Sequence, residues 1–169
     1  MSETTVRLPD GTPVLIRPLT SEDGAELRRG LEHLSPRSAY RRFLGTPPSP
    51  TSATVRYLTD VDHVNHEALG ASDPASGHGI AVARFVRDHA DPSRAELAIA
   101  IADAWQRRGL GTLLLDALAT RARAVGITTL TGLVLADNTG MLKLFDHLGP
   151  TRRQPAGAGT VEVEADLKA

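Results

Sequence analysis

One segment in the middle of this chain constrains its fold more than any other. Side chains alternate from Ala95 to Ala102 and place Leu97, Ile99 and Ile101 on one face, which predicts a half-buried strand. A turn with two glycines follows, and an amphipathic stripe then predicts a helix over Gly109–Gly126. A strand that runs through a short turn into a long helix requires a helix layer packed on a sheet.

Shorter segments on both sides of this unit predict the rest of the sheet and several helices. Three consecutive strands joined by short turns predict an antiparallel meander. The order strand, helix, strand, helix, strand that follows predicts a mixed sheet with helices on its faces, an α/β (α+β) fold in a single domain over residues 1–169. The other predicted strands are Val6–Leu8, Pro13–Arg17, His66–Ala71, Ile80–Arg87, Thr129–Leu135 and Thr160–Ala165, and the other predicted helices start near Thr20, at Ser35–Pro36, before Val55 and at Thr139.

The composition excludes several kinds of site. The 169 residues contain no cysteine, which rules out disulfides, thiolate zinc sites, iron–sulfur ligation and a cysteine nucleophile. The formal net charge is −1, so no global field draws the chain to nucleic acid or to a membrane surface. The N-terminus has no targeting signal, and no window approaches the roughly 18 apolar residues of a membrane span. We therefore expect a cytoplasmic protein without nucleic-acid or membrane partners.

The turn from Gln106 to Thr112 carries the sharpest chemical signal. Its glycines, Gly109 and Gly111, permit backbone conformations closed to other residues and let a ligand approach the chain. The free amides of the helix's first turn and the helix dipole favour an anion, so the segment predicts a phosphate or pyrophosphate site. It lacks the Gly-Lys-Ser/Thr of a Walker A loop, and Leu114 replaces the third glycine of a Rossmann fingerprint. A tight strand-to-helix turn without a ligand is the alternative.

With its surroundings, this turn resembles the acetyl-CoA-binding core of the GCN5-related N-acetyltransferase (GNAT) superfamily. The resemblance is carried by Gln106-x-x-Gly109-x-Gly111 after an alternating strand, by Ala136-Asp137-Asn138 after the next strand, and by the block Asn138–Gly149. The order of elements matches the superfamily across nearly the whole chain and implies its mixed, mostly antiparallel sheet.

Four further stretches look like the catalytic domain of bacterial Pat-type protein lysine acetyltransferases. Some proteins of that type also carry a cyclic-nucleotide-binding domain, for which we expect no room beside the roughly 160 residues that the transferase pattern occupies. The stretches are Arg17-Pro18, Leu34–Phe43, Asp62–Leu69 and Ala95–Ala98.

The resemblance implies that acetyl-CoA is the cosubstrate, and we expect no metal. The backbone amides of Arg108–Thr112 would bind the CoA pyrophosphate, and main-chain groups of Ile99–Ile101 would bind the pantetheine as an added strand does. The cofactor-binding residues that it implies are Ile99, Ala100, Ile101, Gln106, Arg107, Arg108, Gly109, Leu110, Gly111, Thr112 and Asn138.

Acetyl transfer to a lysine requires a neutral amine and therefore a group that takes its proton. A free lysine with a pKa near 10.4 is neutral about once in 10^3.4 at pH 7, a penalty of roughly 4.6 kcal/mol. Without a cysteine, direct attack of the amine on the thioester in a ternary complex is the simplest route. The Pat-like pattern implies that Glu96 is the catalytic base. Glu67 is a second candidate, because its strand can border the cleft. Phe145 stands where many superfamily members carry a tyrosine that protonates the leaving thiolate.

Three functions stay open on these residues. The first is N-acetylation of a protein lysine by a GNAT enzyme. The second is acetylation of a small amine such as a polyamine, an amino acid or an antibiotic. The third is a non-catalytic acyl-CoA-binding regulatory domain, which the intact Glu96 and the complete turn disfavour and Phe145 favours.

Two clusters outside the turn carry weaker signals. The order His63-x-x-His66-Glu67 matches no zinc-protease motif, so we expect these residues to be structural or to line the substrate site. A basic cluster on the second helix predicts a solvated face, a dock for an acidic protein surface, or a contact to the CoA 3′-phosphate. Its members are Arg37, Arg41 and Arg42.

Overall fold

The structure, a computed structural model, describes residues 2–45 and 47–168 of the chain. Within them the chain forms one eight-stranded sheet and five α-helices. The strands are β1 (Thr4–Arg7), β2 (Pro13–Pro18), β3 (His66–Ser72), β4 (Gly79–Arg87), β5 (Arg94–Ile101), β6 (Thr129–Leu135), β7 (Thr151–Gly157) and β8 (Thr160–Asp166). The helices are α1 (Gly24–His33), α2 (Pro36–Phe43), α3 (Ser52–Thr59), α4 (Leu110–Ala124) and α5 (Thr139–Leu148). None of the helices in this described part is long and apolar enough to span a membrane.

The sheet runs in the order β1-β2-β3-β4-β5-β6-β8-β7. Its neighbouring strands are antiparallel except for β5 and β6, which are parallel because α4 carries the chain from the end of β5 to the start of β6. The meander of β3, β4 and β5 and the mixed, mostly antiparallel sheet with flanking helices confirm the predicted fold class.

The edge strand β7 is missing from the sequence-based prediction. Its residues, Thr-Arg-Arg-Gln-Pro-Ala-Gly, show no apolar alternation, and nearly all of them are exposed. The strand forms because its backbone pairs with β8. Arg152 adds ion pairs to Glu164 at 3.0 Å and to Asp166 at 2.8 Å on that neighbour. Backbone pairing and ion pairs with β8 therefore define this strand, and neither produces a periodic pattern in the sequence.

The register of the meander divides the sheet into two faces. On β5, the side chains of Leu97, Ile99 and Ile101 join the main core under α4 and α5, as the alternation predicts. The opposite face looks toward α1, α2 and α3. On β5 it carries Glu96, Ala98 and Ala100.

The two parallel strands are neighbours only near their first residues. They pair through Arg94 with Thr129, Ala95 with Leu130, and Glu96 with Thr131, and beyond these pairs they part. The edge of β5 over residues 97–101 therefore opens onto a cleft, and the turn into α4 lies at its far end.

Candidate active site

A cleft of about 800 Å³ fills the space where β5 and β6 part. Its walls come from β5, the turn before α4, β6, the start of α5 and one side of α2. The structure brings together in this cleft every site residue implied by the resemblance except Arg108 and Leu110. The residues so gathered are Glu96, Ile99, Ala100, Ile101, Gln106, Arg107, Gly109, Gly111, Thr112 and Asn138.

The side chains of Arg108 and Leu110 point elsewhere. Arg108 Nη2 donates to Asp10 Oδ2 at 2.9 Å and to Thr12 Oγ1 at 3.0 Å, and its guanidinium lies 4.5 Å from the centre of the Trp105 ring. Leu110 is 1% exposed and belongs to the main core. These two residues can therefore meet a ligand only through their backbone amides, which is the role that the resemblance implies for them.

Gln106 fastens the turn to its neighbours. Its Nε2 donates to the carbonyl oxygen of Ile101 at 2.9 Å and to Ser38 Oγ at 3.0 Å. Ser38 in turn donates to Asp103 Oδ1 at 2.7 Å. These bonds hold the end of β5, the turn and α2 together, so that α2 stays fixed beside the cleft.

The two glycines of the turn serve different purposes. Gly109 caps α4 with a φ of 86°, and a Cβ there would lie 2.9 Å from Pro9 Cδ, so both its conformation and its surroundings require glycine. Gly111 is buried, and a Cβ there would lie 3.2 Å from Leu144 Cδ1. The sequence predicts that both glycines let a ligand approach the chain. In the structure, the missing side chain of Gly111 instead makes room for the neighbouring helix α5.

Glu96 lies where β5 and β6 stop pairing, at the base of the cleft. Its side chain is exposed and shares its face of the sheet with Ala98 and Ala100, whose small size leaves space beside the carboxylate. Arg42 of α2 lines the same cleft. Burial lowers the pKa of Arg42, and the negative charge of Glu96 opposes that shift. The arrangement places a carboxylate beside any ligand that lies along β5.

The comparison with known protein families identifies this architecture. A profile of the acetyltransferase (GNAT) domain matches residues 14–151, which are most of the chain. The chain belongs to the GNAT acetyltransferases. The predicted family and the predicted enzyme class, an acyltransferase, are thereby confirmed.

Several relatives of this GNAT domain are similar over most of its length. It is 34% identical over 160 residues to the acetyltransferase Pat of Mycolicibacterium smegmatis, and the match covers 94% of this chain but only 48% of that relative, about half its length. An acetyltransferase of Pseudomonas aeruginosa is 32% identical over 144 residues, 84% of this chain and 77% of that protein. The crystal structure of the GNAT domain of S. lividans PAT matches with a TM-score of 0.85 and 32% identity, over 98% of this chain and 97% of that one.

Glu67, the second candidate for the base, lies on the other side of the sheet of this GNAT domain. It shares a face with Phe85 and Leu97 and is 0% exposed. Its Oε2 accepts from Arg121 Nε at 2.8 Å and Nη2 at 2.5 Å, and its Oε1 lies 2.7 Å from His63 Nδ1 and accepts from the Ala68 amide at 2.9 Å. The structure does not support Glu67 as a base, because both of its oxygens are engaged and it does not border the cleft.

His66 faces the interior beneath α3. Its Nε2 lies 3.0 Å from Arg84 Nη1, and its ring lies 5.2 Å from that of Tyr57. Burial, with the positive charge of Arg84 as the next cause, lowers the pKa of His66 to about 4, so the ring is neutral at pH 7 and accepts from Arg84. Within the described residues, no three histidine, aspartate or glutamate side chains are grouped as metal ligands would be.

The depressed pKa of His66 makes a prediction about acid stability. The unfolded chain binds a proton at the ordinary pKa of 6.5, whereas the folded chain resists it down to about 4. Protons therefore favour the unfolded state in this window, and the free energy of unfolding falls as the pH drops from 6.5 toward 4. Urea denaturation at about pH 7 and about pH 5 measures this loss, which we expect to be smaller in His66→Gln. An equal loss in both proteins would contradict the prediction.

The resemblance aligns Phe145 with the tyrosine that many superfamily members carry. Its ring is fully buried, and its Cζ would lie 2.7 Å from a Cβ placed on Gly132 of β6. The ring thus fills the notch that the missing side chain of Gly132 leaves. A hydroxyl on Cζ would point into this packed contact, so packing explains why phenylalanine fits here.

Lys143 on α5 lines the cleft and escaped the sequence analysis. Asp137 of the quoted motif also lines the cleft, as do Arg37 and Arg41 of the basic cluster, for which a contact to the CoA 3′-phosphate is one of the three interpretations. Lys143 gave no signal because a single lysine on an amphipathic helix is ordinary, and only the packing of α5 beside β6 brings it to the site. The cationic side chains on two walls fit a ligand with several phosphates.

Proposed function

We propose that this chain transfers an acetyl group from acetyl-CoA to a primary amine, the side chain of a protein lysine. The observation that supports this most is the single cleft that unites the turn before α4, the parted strands and Glu96. The sequence identity to two proteins named Pat supports the protein lysine as acceptor.

The cleft suits a CoA thioester along its whole length. The first amides of α4 point to one end, where the helix dipole favours the pyrophosphate. The open edge of β5 offers main-chain groups of Ile99–Ile101 to the amides of pantetheine. Asn138 caps α5 by accepting from the Met141 amide at 3.3 Å, which leaves its side-chain NH₂ for the cofactor. The thioester then lies near Ala98, next to Glu96.

In the reaction, the lysine nitrogen attacks the thioester carbonyl, the C–N bond forms and the C–S bond breaks. Glu96 accepts the ammonium proton before or during the attack, directly or through a water, and returns it to solvent. The nitrogen loses a second proton to water once the C–N bond has formed. The CoA thiolate leaves and takes a proton from water, because Phe145 has none to give. No covalent enzyme intermediate is needed, in line with a chain that has no cysteine.

The proposal is tested by an acceptor screen with mass spectrometry. The purified chain is incubated with acetyl-CoA and a panel of folded proteins, peptides, polyamines, amino acids and aminoglycosides. Mass gain on protein lysines, with thiol release in step, supports the proposal. Mass gain on small amines alone would show that the acceptor is a small amine and not a protein lysine. Acetyl-CoA binding without any transfer would favour a regulatory domain instead.

The turn before α4 gives a prediction about acetyl-CoA affinity. In Gly109→Val, a β-branched residue must adopt a φ of 86° and its Cβ would meet Pro9, so the first turn of α4 shifts. We expect the Kd of acetyl-CoA to rise at least about tenfold, since a displacement that removes one charge-assisted hydrogen bond costs about 1.5–3 kcal/mol. Isothermal titration calorimetry measures the change.

Gly126 provides a matched control. It has a φ of 83° at the other end of α4 and no atom within 4 Å of a Cβ, so Gly126→Val imposes the same backbone strain far from the cleft. We expect this variant to lose stability but to keep its acetyl-CoA affinity. Equal affinity in Gly109→Val would contradict the assignment of the turn.

A further inference from the structure

A second cavity, of about 340 Å³, lies between α1 and the sheet. Its floor includes Val82 and Ala100, which are paired across β4 and β5, and Leu19, which packs over Gly70; its roof includes Leu27 and Leu31. The helix α1 has no fully buried residue, because it stands off from the sheet at this point. The raised helix above this floor thus leaves a mostly apolar chamber of a size that suits a ligand group.

The charges around this cavity do not balance. Four arginines line it, but only two carboxylates do. Arg17 pairs with Asp23 at 2.6 Å, and Arg29 pairs with Glu26 at 2.7 Å. Arg42 and Arg84 therefore have no carboxylate within ion-pair distance among residues 2–45 and 47–168.

Arg84 is the more deeply buried of these two, at 6% exposure. Only its Nη1 is engaged, with the Leu58 carbonyl oxygen at 3.0 Å and with the uncharged His66 Nε2 at 3.0 Å. No polar side-chain atom in the described structure is both closed to solvent and unbonded, so its other nitrogens reach open space. Burial lowers the pKa of Arg84 to about 10, and the positive charge of Arg42 adds to that effect. Two guanidinium groups without a carboxylate in ion-pair distance, in a mostly apolar chamber, favour an anion between them.

The cavity adjoins the CoA cleft beside β5, one strand position along the same face from Ala98. Arg42, Phe43 and Ala100 line both spaces. Arg84 stands directly opposite Ala98 in the register of β4 and β5, and Ala98 lines the cleft near Glu96. A group attached to the thioester could therefore extend past Ala98 into the chamber without leaving the protein.

We propose that this chamber binds the terminal carboxylate of a dicarboxylic acyl group, so that the chain accepts acyl donors such as succinyl-CoA besides acetyl-CoA. The inference rests on the proposed function for the position of the thioester. The donor is favoured over the acceptor because the chamber meets the cleft at Ala100, within the stretch assigned to pantetheine. The transfer itself is unchanged: the lysine nitrogen bonds to the acyl carbon, the thiolate leaves, and the distal carboxylate stays ionised throughout.

The experiment compares three donors that separate charge from chain length. Acetyl-CoA is the short reference, and succinyl-CoA carries the carboxylate. In 4-methylpentanoyl-CoA two methyl groups replace the two carboxylate oxygens of succinyl-CoA, so the shape is kept and the charge is removed. Affinity is measured by calorimetry on the full chain, and transfer to a protein lysine by mass spectrometry. We expect succinyl-CoA to bind roughly ten- to hundredfold more tightly than its uncharged mimic, the factor typical of a hydrogen bond to a charged group.

Variants locate the effect. Arg42→Met should abolish most of the preference for succinyl-CoA over the uncharged mimic, and Arg84→Met should do the same where it folds. Arg41→Met, on the same helix but lining only the CoA cleft, should leave that ratio unchanged. Succinyl-CoA binding no tighter than its mimic, or a preference untouched in Arg42→Met, would overturn the inference even if acetyl transfer proceeds normally. The inference would also be overturned if the arginine variants changed only the preference for amine acceptors that carry a carboxylate. Tight binding of succinyl-CoA without acyl transfer to any lysine would overturn only the proposed function.

Discussion

Glu96→Gln should lower kcat/KM for acetyl transfer by about 10²- to 10⁴-fold, the usual worth of a positioned general base. Glutamine keeps the shape of the side chain at the base of the cleft but cannot take the ammonium proton. The exposed position of Glu96 means that folding does not depend on its charge. The Kd of acetyl-CoA and the free energy of unfolding should both stay near those of the parent protein.

Glu162→Gln is the matched control, because Glu162 is an exposed glutamate on β8 that does not line the cleft. Initial rates of thiol release at neutral pH distinguish the two variants. The parent and Glu162→Gln should release thiol at the same rate, whereas Glu96→Gln should keep only a small residual rate. Full activity in Glu96→Gln would remove Glu96 as the base.

The central unit of the fold could be predicted because its residues repeat with the periods of strand and helix. The alternation over β5 and the stripe along α4 both reflect one buried face. The edge strand β7 has no buried face and therefore left no such period, so the prediction missed it. Its existence depends on pairing with β8, which is a relation between two segments rather than a property of one.

The candidate site shows the same division. The turn and Glu96 could be located because they follow a strand whose alternation is clear. The choice of Glu67 as a second candidate neglected that alternation in β3, where Glu67 shares its parity with the buried Leu69 and Ala71. A charged residue on the core side of a strand requires a buried partner, and Arg121 is the residue three positions after Leu118 of the apolar stripe in α4. Whether Arg42 and Arg84 have a carboxylate partner, by contrast, depends on which segments fold around them. Their lack of one could be found only in the folded chain.

Glu67→Gln should destabilise the fold by about 3 kcal/mol, the lower end of the cost of breaking a buried ion pair. The carboxylate accepts on both oxygens, from Arg121 on one side and from the Ala68 amide on the other. A glutamine has only one acceptor oxygen, so its NH₂ must face donors on one side or the other. The buried position leaves no water to relieve this conflict.

Urea denaturation measures the loss of stability, and initial rates at low temperature measure the activity of the folded fraction. We expect the midpoint to fall and kcat to stay within about twofold of the parent, because Glu67 lies across the sheet from Glu96. Arg121→Met and the double variant complete a thermodynamic cycle, in which the second substitution should cost much less than the first. A loss of kcat at unchanged stability would make Glu67 a participant in the chemistry. Glu67→Gln should thus lower stability and spare kcat, whereas Glu96→Gln should lower kcat/KM and spare stability. Both results follow from the face of the sheet on which each glutamate lies.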